Sequence, residues 1–520
     1  QYAHESKAKI FQQDGFSPLY DEGWNFETIR KENLFLQKVG NCEMDESLRE
    51  RFKAEVRAMR AWTYLGMTMT FGKVPLITEV LDYNSPNIPR DEVSVIRDFI
   101  MKELTEAAAI LPEKYAGGYP NEKGRITKYA CLSLKARAAL YFGDYALAES
   151  TAKEVMDKGG FSLFKISSLS DAQKKEAEEM SLYIDFAEKG IDKDEFVKGM
   201  FNYEALWHTE NANPDNPEYI MTRQYAASSW NYQDMTRYTS MRPNQLGGWS
   251  SVTPTQNLLD AYWGVDGHSV PQLPTPEERA KAYNQIKADL DAYQKPEGEA
   301  KFIAFCQEKI KNGTLKDYKY IQEFRNRDSR MYVSILMPFK SWYESNYGDK
   351  FVYEWIKNGN NESKTGFNFR KMLSLENDAN GDGQATGDYP CIRYAEILLI
   401  YAEAHTQTTG YDAATEAALN QLRDRCGMPD VPSGLSKEEG LKLIQNERRI
   451  ELAGEGFRGD DMTRYSDDYW KEHMNNVPIM TPDGDTELTM KWSSRMRLKP
   501  IPQTAIDLNP LLAGDQNPGY

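Results

Sequence analysis

The stretch Asp378–Pro390, DANGDGQATGDYP, has residue types and spacing that could hold a metal ion. Asp378, Asn380 and Asp382 stand at alternate positions before a glycine, as in the calcium loop of an EF-hand, and would supply three oxygen ligands. The twelfth position, where a bidentate glutamate normally completes the calcium shell, is Tyr389. Two interpretations remain open, a degenerate structural calcium site and a plain turn, and the missing glutamate favours the turn. No cofactor is expected to be required.

A second carboxylate-rich stretch is Asn446–Asp461, NERRIELAGEGFRGDD. Glu447 and Glu451 lie four residues apart on one helix face, a spacing that would also suit a general acid and a general base. Nothing in the sequence gives either carboxyl the apolar setting that raises a pKa for general-acid work. Arg448, three residues before Glu451, suits an ordinary helical ion pair instead. We therefore expect structural pairing, no catalytic residue and no enzyme activity.

Aromatic residues make up 12% of the chain, and many stand beside amides in loop-like sequence. Sugars have apolar C–H faces that pack on aromatic rings, and their hydroxyl groups need polar partners. We expect two or more such rings to form a shallow platform, although each tryptophan has the alternative of a buried place in the core. The candidate residues come from DYNSPNIPR, SSWNYQ, LGGWSS and KSWYESNYGD and are Tyr83, Asn84, Asn87, Trp230, Asn231, Tyr232, Trp249, Trp342 and Tyr343.

Length, charge and cysteine content exclude several classes of protein. The 520 residues suffice for one large domain or two to three small ones. The net charge of −16, with acids and bases mixed along the chain, argues against nucleic-acid binding. No run of about 18 apolar residues is present, so no membrane-spanning segment is expected. Cys42, Cys131, Cys306, Cys391 and Cys426 form no C-x-x-C pair, which predicts buried small hydrophobic residues rather than disulfides or a zinc site.

Helical patterns dominate both ends of the chain. Asp45–Phe71 is a long amphipathic stretch with acidic residues at its start, and Arg90–Leu111 repeats the pattern. Thr127–Gly159 predicts a helical hairpin that turns at Gly143 and has small residues where two helices must approach closely. Its centre, ALYFGDYALA, is similar to a tetratricopeptide repeat, whose helix pairs stack on their neighbours.

The region 201–377 has a different character, rich in Asn, Gly, Pro, Ser and aromatic residues. It keeps no helical period for long, which predicts long loops with short strands and helices, and loops of this length are usually functional. Helical patterns return after Pro390, where Arg393, Glu396 and Glu403 are expected to form an ion-paired edge on the first helix. The predicted fold is mostly α, with tetratricopeptide-like helical pairs from both termini and a loop-rich irregular insertion. Its expected regions are 1–200, 201–377 and 378–520, within one integrated domain.

A series of motifs along the chain resembles the SusD/RagB family. Each motif alone is weakly specific, whereas the ordered series covers nearly the whole chain. Phe457 stands where the family usually has a histidine, and Gly459–Asp460 precedes Asp461, which is a departure from the family pattern. The motifs are AEVRAMRAWTYLGMTMTFGKVPLITE, GRITKYACLSLKARAALYFGDYALA, TPTQNLLDAYWGVDG, RNRDSRM, RYAEILLIYAEA, LNQLRDRCGMP, NERRIELAGEGFRGDDMTRY and LKPIPQTAIDLNPLLAGDQNPGY.

This resemblance implies a SusD-like fold and a function without catalysis. It implies a lipoprotein on the outer surface of a Bacteroidetes cell that captures oligosaccharides and passes them to a TonB-dependent outer-membrane transporter. The start at Gln1, without a methionine, suggests that a leader was removed or left out, so the signal peptide and the lipid anchor are expected outside this sequence. Two alternatives stay open: a RagB-like protein that binds peptides, and an all-α glycan-degrading enzyme with aromatic residues along its cleft.

Overall fold

The computed structural model describes residues 2–3, 11–82, 84–116, 122–225, 242–343, 351–373 and 387–520. Nineteen α-helices account for most of the regular structure in these ranges. The helices of the N-terminal region are α1 (Phe26–Lys38), α2 (Glu46–Phe71), α3 (Val93–Ile110), α4 (Lys128–Tyr141), α5 (Tyr145–Lys158), α6 (Asp171–Glu179), α7 (Phe186–Lys189) and α8 (Lys193–Ala205). The mostly α fold that the sequence predicts is confirmed.

Helices continue through the middle and the C-terminal region. The middle contains α9 (Gln256–Ala261), α10 (Pro276–Ala292), α11 (Lys301–Lys311), α12 (Lys319–Gln322) and α13 (Ser329–Ser334). The C-terminal helices are α14 (Tyr394–Thr408), α15 (Ala413–Arg425), α16 (Lys437–Glu451), α17 (Phe457–Arg464), α18 (Asp467–Met474) and α19 (Gln503–Leu508). No helix in the described ranges combines the length and the apolar composition that crossing a bilayer requires.

Strands are short and pair two by two in the described part of the chain. Each of the four sheets is an antiparallel pair: β1 with β3, β2 with β6, β4 with β5, and β7 with β8. The strands are β1 (Tyr2–Ala3), β2 (Tyr219–Arg223), β3 (Val252–Thr253), β4 (Ile335–Leu336), β5 (Asn368–Phe369), β6 (Tyr389–Arg393), β7 (Pro478–Met480) and β8 (Thr486–Thr489). The helix expected directly after Pro390 is therefore preceded by a strand, β6, that pairs with β2.

The predicted hairpin is present as α4 and α5. The Thr127 side chain accepts a hydrogen bond from the Ala130 N–H (3.1 Å), and Asp144 accepts one from the Leu147 N–H (3.2 Å), so both helix starts are capped. Gly143 turns the chain with a φ of 75°, which glycine adopts without steric cost. The facing alanines, among them Ala139, are fully buried, and this lets the two helices pack closely.

Helix α14 of the C-terminal region packs against α5 and α4, so helices from both ends of the chain share one core. Arg137 on α4 donates from Nε and Nη2 to the two carboxylate oxygens of Glu396 on α14, at 2.7 and 2.6 Å. Both side chains are buried, so the edge predicted on this helix is an internal contact. The boundaries 1–200, 201–377 and 378–520 stay predictions.

The middle region holds more helix than its composition suggests, since α10 has 17 residues and α11 has 11. Helix α10 starts with a capping box, in which Thr275 and Glu278 each bond the other's backbone N–H, and with a proline at its first position. Its buried residues are only Tyr283, Ile286 and Leu290. Such a narrow apolar stripe in a polar sequence is hard to recognise as a helix.

A cluster of charged side chains, here called the buried charge cluster, lies between the middle and the C-terminal helices. It contains five cations and five anions, each with a side chain at most 2% exposed. The charges therefore balance in number. Its members are Arg330, Lys371, Arg393, Arg423, Arg425, Glu218, Asp328, Glu447, Glu451 and Glu455.

Glu451 on α16 is the most connected anion of the cluster. Its carboxylate accepts from Arg393 Nη1 (2.8 Å), from Arg330 Nη1 (3.0 Å) and from Arg425 Nη2. Burial by itself would raise the pKa of Glu451, but the charges of Arg425, Arg393 and Arg330 hold it well below its ordinary value. The carboxylate therefore remains ionised and structural.

The ion pairs expected for α16 are present, but their partners differ from those that the sequence suggests. Arg448 pairs with Asp461, its Nε lying 2.9 and 2.8 Å from the two carboxylate oxygens, and not with Glu451. Glu447 accepts from Arg330 Nη1 and Arg423 Nη2, both at 2.7 Å. Spacing along one helix cannot reveal these partners, because they come from other elements of the fold.

The cysteine prediction holds for three residues and is wrong for one. Cys131, Cys306 and Cys426 are buried, whereas Cys42 is exposed and Cys391 is half-buried. Cys42 follows a short 3₁₀ turn at Val39–Asn41 in a connection between two helices, and its side chain lies at the surface instead of in the core. All five are free thiols.

Replacing Glu451 tests how strongly the buried charge cluster stabilises the fold. Glu451→Gln leaves the positive charges of three arginines short of one anion, and breaking a buried pair in this way costs about 3–5 kcal/mol. We expect the free energy of unfolding, measured by urea denaturation at pH 7, to fall by that amount. The control is Glu438→Gln, because its pair with Lys442 is exposed on α16. That variant should change stability by less than about 0.5 kcal/mol, and equal effects of the two substitutions would contradict the account.

Candidate functional site

Trp249 is exposed, and it is the only tryptophan in the described ranges that is. The residue is 46% exposed and follows a 3₁₀ turn at Asn244–Leu246. A flat aromatic ring at the surface is a group on which the apolar face of a sugar can pack. The turn with its ring, residues 242–250, is called the Trp249 turn below.

Close backbone packing fixes the Trp249 turn. Gly248 passes so near Arg242 that an added Cβ would lie 2.1 Å from the Arg242 carbonyl oxygen, so only glycine is possible here. Its N–H donates to the Pro243 carbonyl (3.0 Å), and the Ser250 N–H donates to the Arg242 carbonyl (3.0 Å). Ser250 has a φ of 47°, a left-handed conformation that is rare for serine and typical of functional sites.

Two buried side chains tie the residues around the turn to the interior, one at Ser250 and one at Pro254. The Asn368 amide of β5 donates from Nδ2 to Ser250 Oγ (3.1 Å), and both residues are buried. Thr365 donates to the Pro254 carbonyl (2.7 Å), directly after β3. The base of the turn is therefore rigid, while the Trp249 ring at its tip meets solvent.

Amide groups of the same turn complete the arrangement. Asn244 is exposed in the same turn, and Gln245 accepts a hydrogen bond at Oε1 from the Glu354 N–H (3.2 Å). A flat ring with an amide next to it can stack on a sugar face and bond to its hydroxyl groups. The sequence analysis missed Asn244 and Gln245, although the run PNQLGGW places both amides just before the glycines of the turn.

The stretches that contain Trp249 and Trp342 meet at one segment, residues 351–354. The Trp342 N–H donates to the Phe351 carbonyl (3.2 Å), while Glu354 contacts Gln245 from the other side. Tyr343 follows, half-buried, with its hydroxyl donating to the Glu179 carboxylate. Two of the four predicted stretches therefore lie close together in the fold.

The prediction that Trp342 belongs to an exposed platform is wrong. Its side chain is 1% exposed and packs edge-on against Phe351, with ring centroids 6.2 Å apart. The Arg370 guanidinium lies over the same ring, 5.1 Å from its centroid. A tryptophan in a polar stretch is buried here because the stretch itself pairs with residues 351–354 and turns the ring into the core.

Asn84 and Asn87 are exposed, as a ligand-binding role requires. Their loop contacts different parts of the fold from those that the Trp249 turn contacts. Arg30 of α1 donates to the Leu81 carbonyl (2.9 Å), and Asn509 donates to the Ile88 carbonyl (2.7 Å). These two amides stay predictions. The predicted residues Tyr83, Trp230, Asn231, Tyr232, Asp378, Asn380 and Asp382 lie outside the described residues.

The segment that contacts the Trp249 turn has two carboxyl groups of raised pKa, on Glu354, whose N–H bonds to Gln245, and on Glu362. Burial raises the pKa of Glu354. Burial and the nearby charge of Glu354 raise the pKa of Glu362 to about 7. Glu362 is only 4% exposed, so a ligand at the surface does not reach its carboxyl group. Protonation of this carboxyl group therefore influences the stability of the segment.

Comparison with known proteins places the fold among SusD-like proteins. The model of the SusD family matches residues 217–520. SusD-like protein P38 of Formosa agariphila is 22% identical over 474 residues, which are 88% of this chain and 73% of that protein. A SusD-like protein of Bacteroides fragilis aligns with a TM-score of 0.73 and 26% identity, covering 99% of this chain and 90% of the other. A laminarin binding SusD-like protein aligns with a TM-score of 0.60 and 20% identity, over 99% and 89%.

Replacing Glu362 tests whether burial and the charge of Glu354 raise the pKa of its carboxyl group. The pKa of this carboxyl is 4.5 in the unfolded chain and about 7 in the folded protein, so the folded state favours the protonated form. The protein is therefore most stable, with respect to this group, below about pH 4.5, and that stability is lost as the pH rises through 7. Glu362→Gln removes this loss, and we expect it to stabilise the protein at pH 8 by about 1–2 kcal/mol, with little effect at pH 4.5. Thermal unfolding at both pH values measures the effect. The exposed Glu297→Gln serves as control, and the same pH profile for both variants would refute the assignment.

Proposed function

The chain belongs to the SusD family, and from this premise we propose that it is a binding protein that captures oligosaccharides at its surface. The observation that carries the proposal is the exposed Trp249 ring on a rigid turn, with the Asn244 amide in the same turn. The ring offers a stacking surface for a pyranose face, and the amide offers both a donor and an acceptor to hydroxyl groups.

The saccharide class has support from the fold. One of the solved structures with a similar fold is named as a laminarin binding SusD-like protein.

We expect weak and reversible binding. One stacked ring contributes on the order of 1 kcal/mol beyond the area that it buries, so a shallow site of few rings gives roughly micromolar to millimolar affinity, or about 4–8 kcal/mol. Weak binding suits a protein that releases its ligand to a second protein. The proposed recipient is a TonB-dependent transporter in the outer membrane, beside which a lipid anchor outside this sequence would hold the chain.

Catalysis is not part of the proposal. Glu447 and Glu451, the carboxylates with the spacing of an acid and a base, are both 0% exposed and paired with arginines. A substrate at the surface cannot reach them, and the low pKa of Glu451 is the opposite of what a general acid needs. We therefore propose capture without chemical change of the ligand.

Replacing Trp249 tests the proposed site. Trp249→Ala removes the stacking ring and should weaken oligosaccharide binding at least tenfold, a loss of about 1.4 kcal/mol, while Trp249→Phe retains part of it. Isothermal titration calorimetry measures the affinity, with a panel of neutral α- and β-linked glucan, mannan and xylan oligosaccharides as ligands. Because the ring is exposed, the melting temperature should stay within about 2 °C of the wild type.

Tyr20→Ala is the matched control, since Tyr20 is an aromatic residue of similar exposure (37%) in another part of the chain. It should leave oligosaccharide affinity unchanged. Unchanged affinity for the Trp249→Ala variant would move the site elsewhere. Binding of oligopeptides but of no glycan in the panel would replace saccharide capture by peptide capture.

Asn244→Ala tests the amide next to the ring. Loss of one hydrogen bond to a sugar hydroxyl costs about 0.5–1.5 kcal/mol, so affinity in the same calorimetric assay should fall about 2- to 12-fold. Asn358→Ala, an exposed asparagine near the segment 351–354, is the control and should bind as the wild type does. If both variants bind equally well, the hydroxyl contacts of the ligand come from other residues.

A further inference from the structure

A cavity of about 500 Å³ lies away from Trp249, between the end of α2, residues 11–22 and the C-terminal helices α16 to α18. Trp249 does not line it. Volumes in this range hold small molecules in other proteins, in pockets that combine apolar walls with a few polar groups. The apolar side chains of the wall include Phe11, Phe16, Phe457, Met474, Met490 and Met496.

Arg448 on α16 lines this cavity and has hydrogen-bond donors without acceptors. Its side chain is 1% exposed, and its Nε is the atom that bonds to Asp461. Within the described ranges, Nη1 and Nη2 are buried and meet no acceptor. These two nitrogens carry four N–H groups, and each buried donor left unsatisfied costs about 1–3 kcal/mol. A group with acceptor oxygens would relieve that cost.

Four more cations line the cavity: Arg497 pairs with Asp467, whereas Arg449, Arg458 and Lys499 form no ion pair within the described residues. Arg449 donates from Nη2 to the carbonyl and to the side-chain oxygen of Asn257 (3.0 and 2.6 Å), both neutral acceptors. The Arg458 guanidinium lies over the ring of Tyr469, 5.1 Å from its centroid. The Lys499 ammonium lies over the Phe16 ring at 5.6 Å.

Acidic groups in the cavity do not offset these cations. The carboxyl groups of the lining are those of Glu22, Asp460 and Asp461, fewer than its five cations. Asp461 is paired with Arg448 and Arg464, and burial raises the pKa of Asp460 to about 6. His473 also lines the cavity, but burial and the charge of Arg449 lower its pKa to about 4, so it is neutral at pH 7. Positive charge therefore prevails in the space between Arg449, Arg458 and Lys499.

We propose that this cavity is a second binding site, for a small organic anion that carries a carboxylate on an apolar body. The carboxylate accepts from the guanidinium N–H groups of Arg448 and its cationic neighbours, in the charge-assisted geometry that arginine favours. The body of the ligand packs against the phenylalanine and methionine side chains of the wall. The site is separate from the Trp249 turn and does not depend on the proposed function.

A pair of probes that differ in charge tests the proposal. Both have the same fused ring: 1-naphthoate carries a carboxylate, and 1-naphthalenemethanol carries an uncharged alcohol in its place. Calorimetry on the full chain at pH 7.5 should show 1-naphthoate binding at least tenfold more tightly than the alcohol. Equal affinity of the two probes, or no binding of 1-naphthoate to the folded protein, would overturn the proposal.

Two variants of opposite charge change locate the probe in the cavity. Arg458→Gln removes a cation that has no ion pair to lose, and it should weaken 1-naphthoate at least fivefold. Asp460→Asn removes a negative charge of the lining and should tighten binding by a similar factor. Circular dichroism verifies that both variants are folded, and unchanged affinity in both would show that the probe binds elsewhere.

The outcome is distinguishable from that of the proposed function. Trp249→Ala should leave 1-naphthoate affinity unchanged, and Arg458→Gln should leave oligosaccharide affinity unchanged. A loss of 1-naphthoate binding in the Trp249→Ala variant would place the anion at the Trp249 turn and overturn the assignment to this cavity.

Discussion

The fold depends on a constraint that acts deep in its interior: each charge of the buried charge cluster needs an opposite charge at bonding distance. An isolated buried ion costs several kcal/mol, so the compact state is strongly destabilised unless the ten members come together. They come from positions as far apart in sequence as Glu218 and Glu455, and Arg393 bonds to both. Forming the cluster therefore fixes α13, α15, α16 and the strand β6 relative to one another. Hydrogen-bonded ion pairs define these relative positions more narrowly than apolar packing alone, because they require specific distances and directions.

The same frame positions the surface where a ligand is expected. Strand β5 and the two residues after it connect the interior to the Trp249 turn: Lys371 belongs to the buried charge cluster, Arg370 pairs with Glu176 and Glu204, and Asn368 bonds to Ser250. Three positions of one short segment thus join the charged interior to the base of an exposed ring. A preorganised ring loses little conformational freedom when a sugar stacks on it, which matters when the total binding free energy is small.

Local sequence patterns were sufficient to predict the helices whose caps and apolar spacing are clear. They were insufficient to predict the burial of side chains or the ion pairs that depend on residues distant in the sequence. The hairpin α4–α5 and the long helix α2 were predictable, since caps, apolar spacing and small residues all agree locally. Whether each tryptophan is exposed or buried was not predictable. Trp249 and Trp342 stand in similar polar stretches, and only pairing with residues 351–354 buries Trp342. The partners of Glu447 and Glu451 were equally hidden, because spacing on one helix says nothing about arginines from other elements.

The central claim is that a rigid, charge-locked frame presents Trp249 as the surface on which a glycan is captured. A crystal structure of the protein with an oligosaccharide that it binds in solution tests this claim most directly. The account predicts a sugar ring stacked on the Trp249 indole at about 4 Å, with a hydroxyl group bonded to the Asn244 amide and the buried charge cluster unchanged. An oligosaccharide bound elsewhere, with the Trp249 ring uncovered, would contradict it.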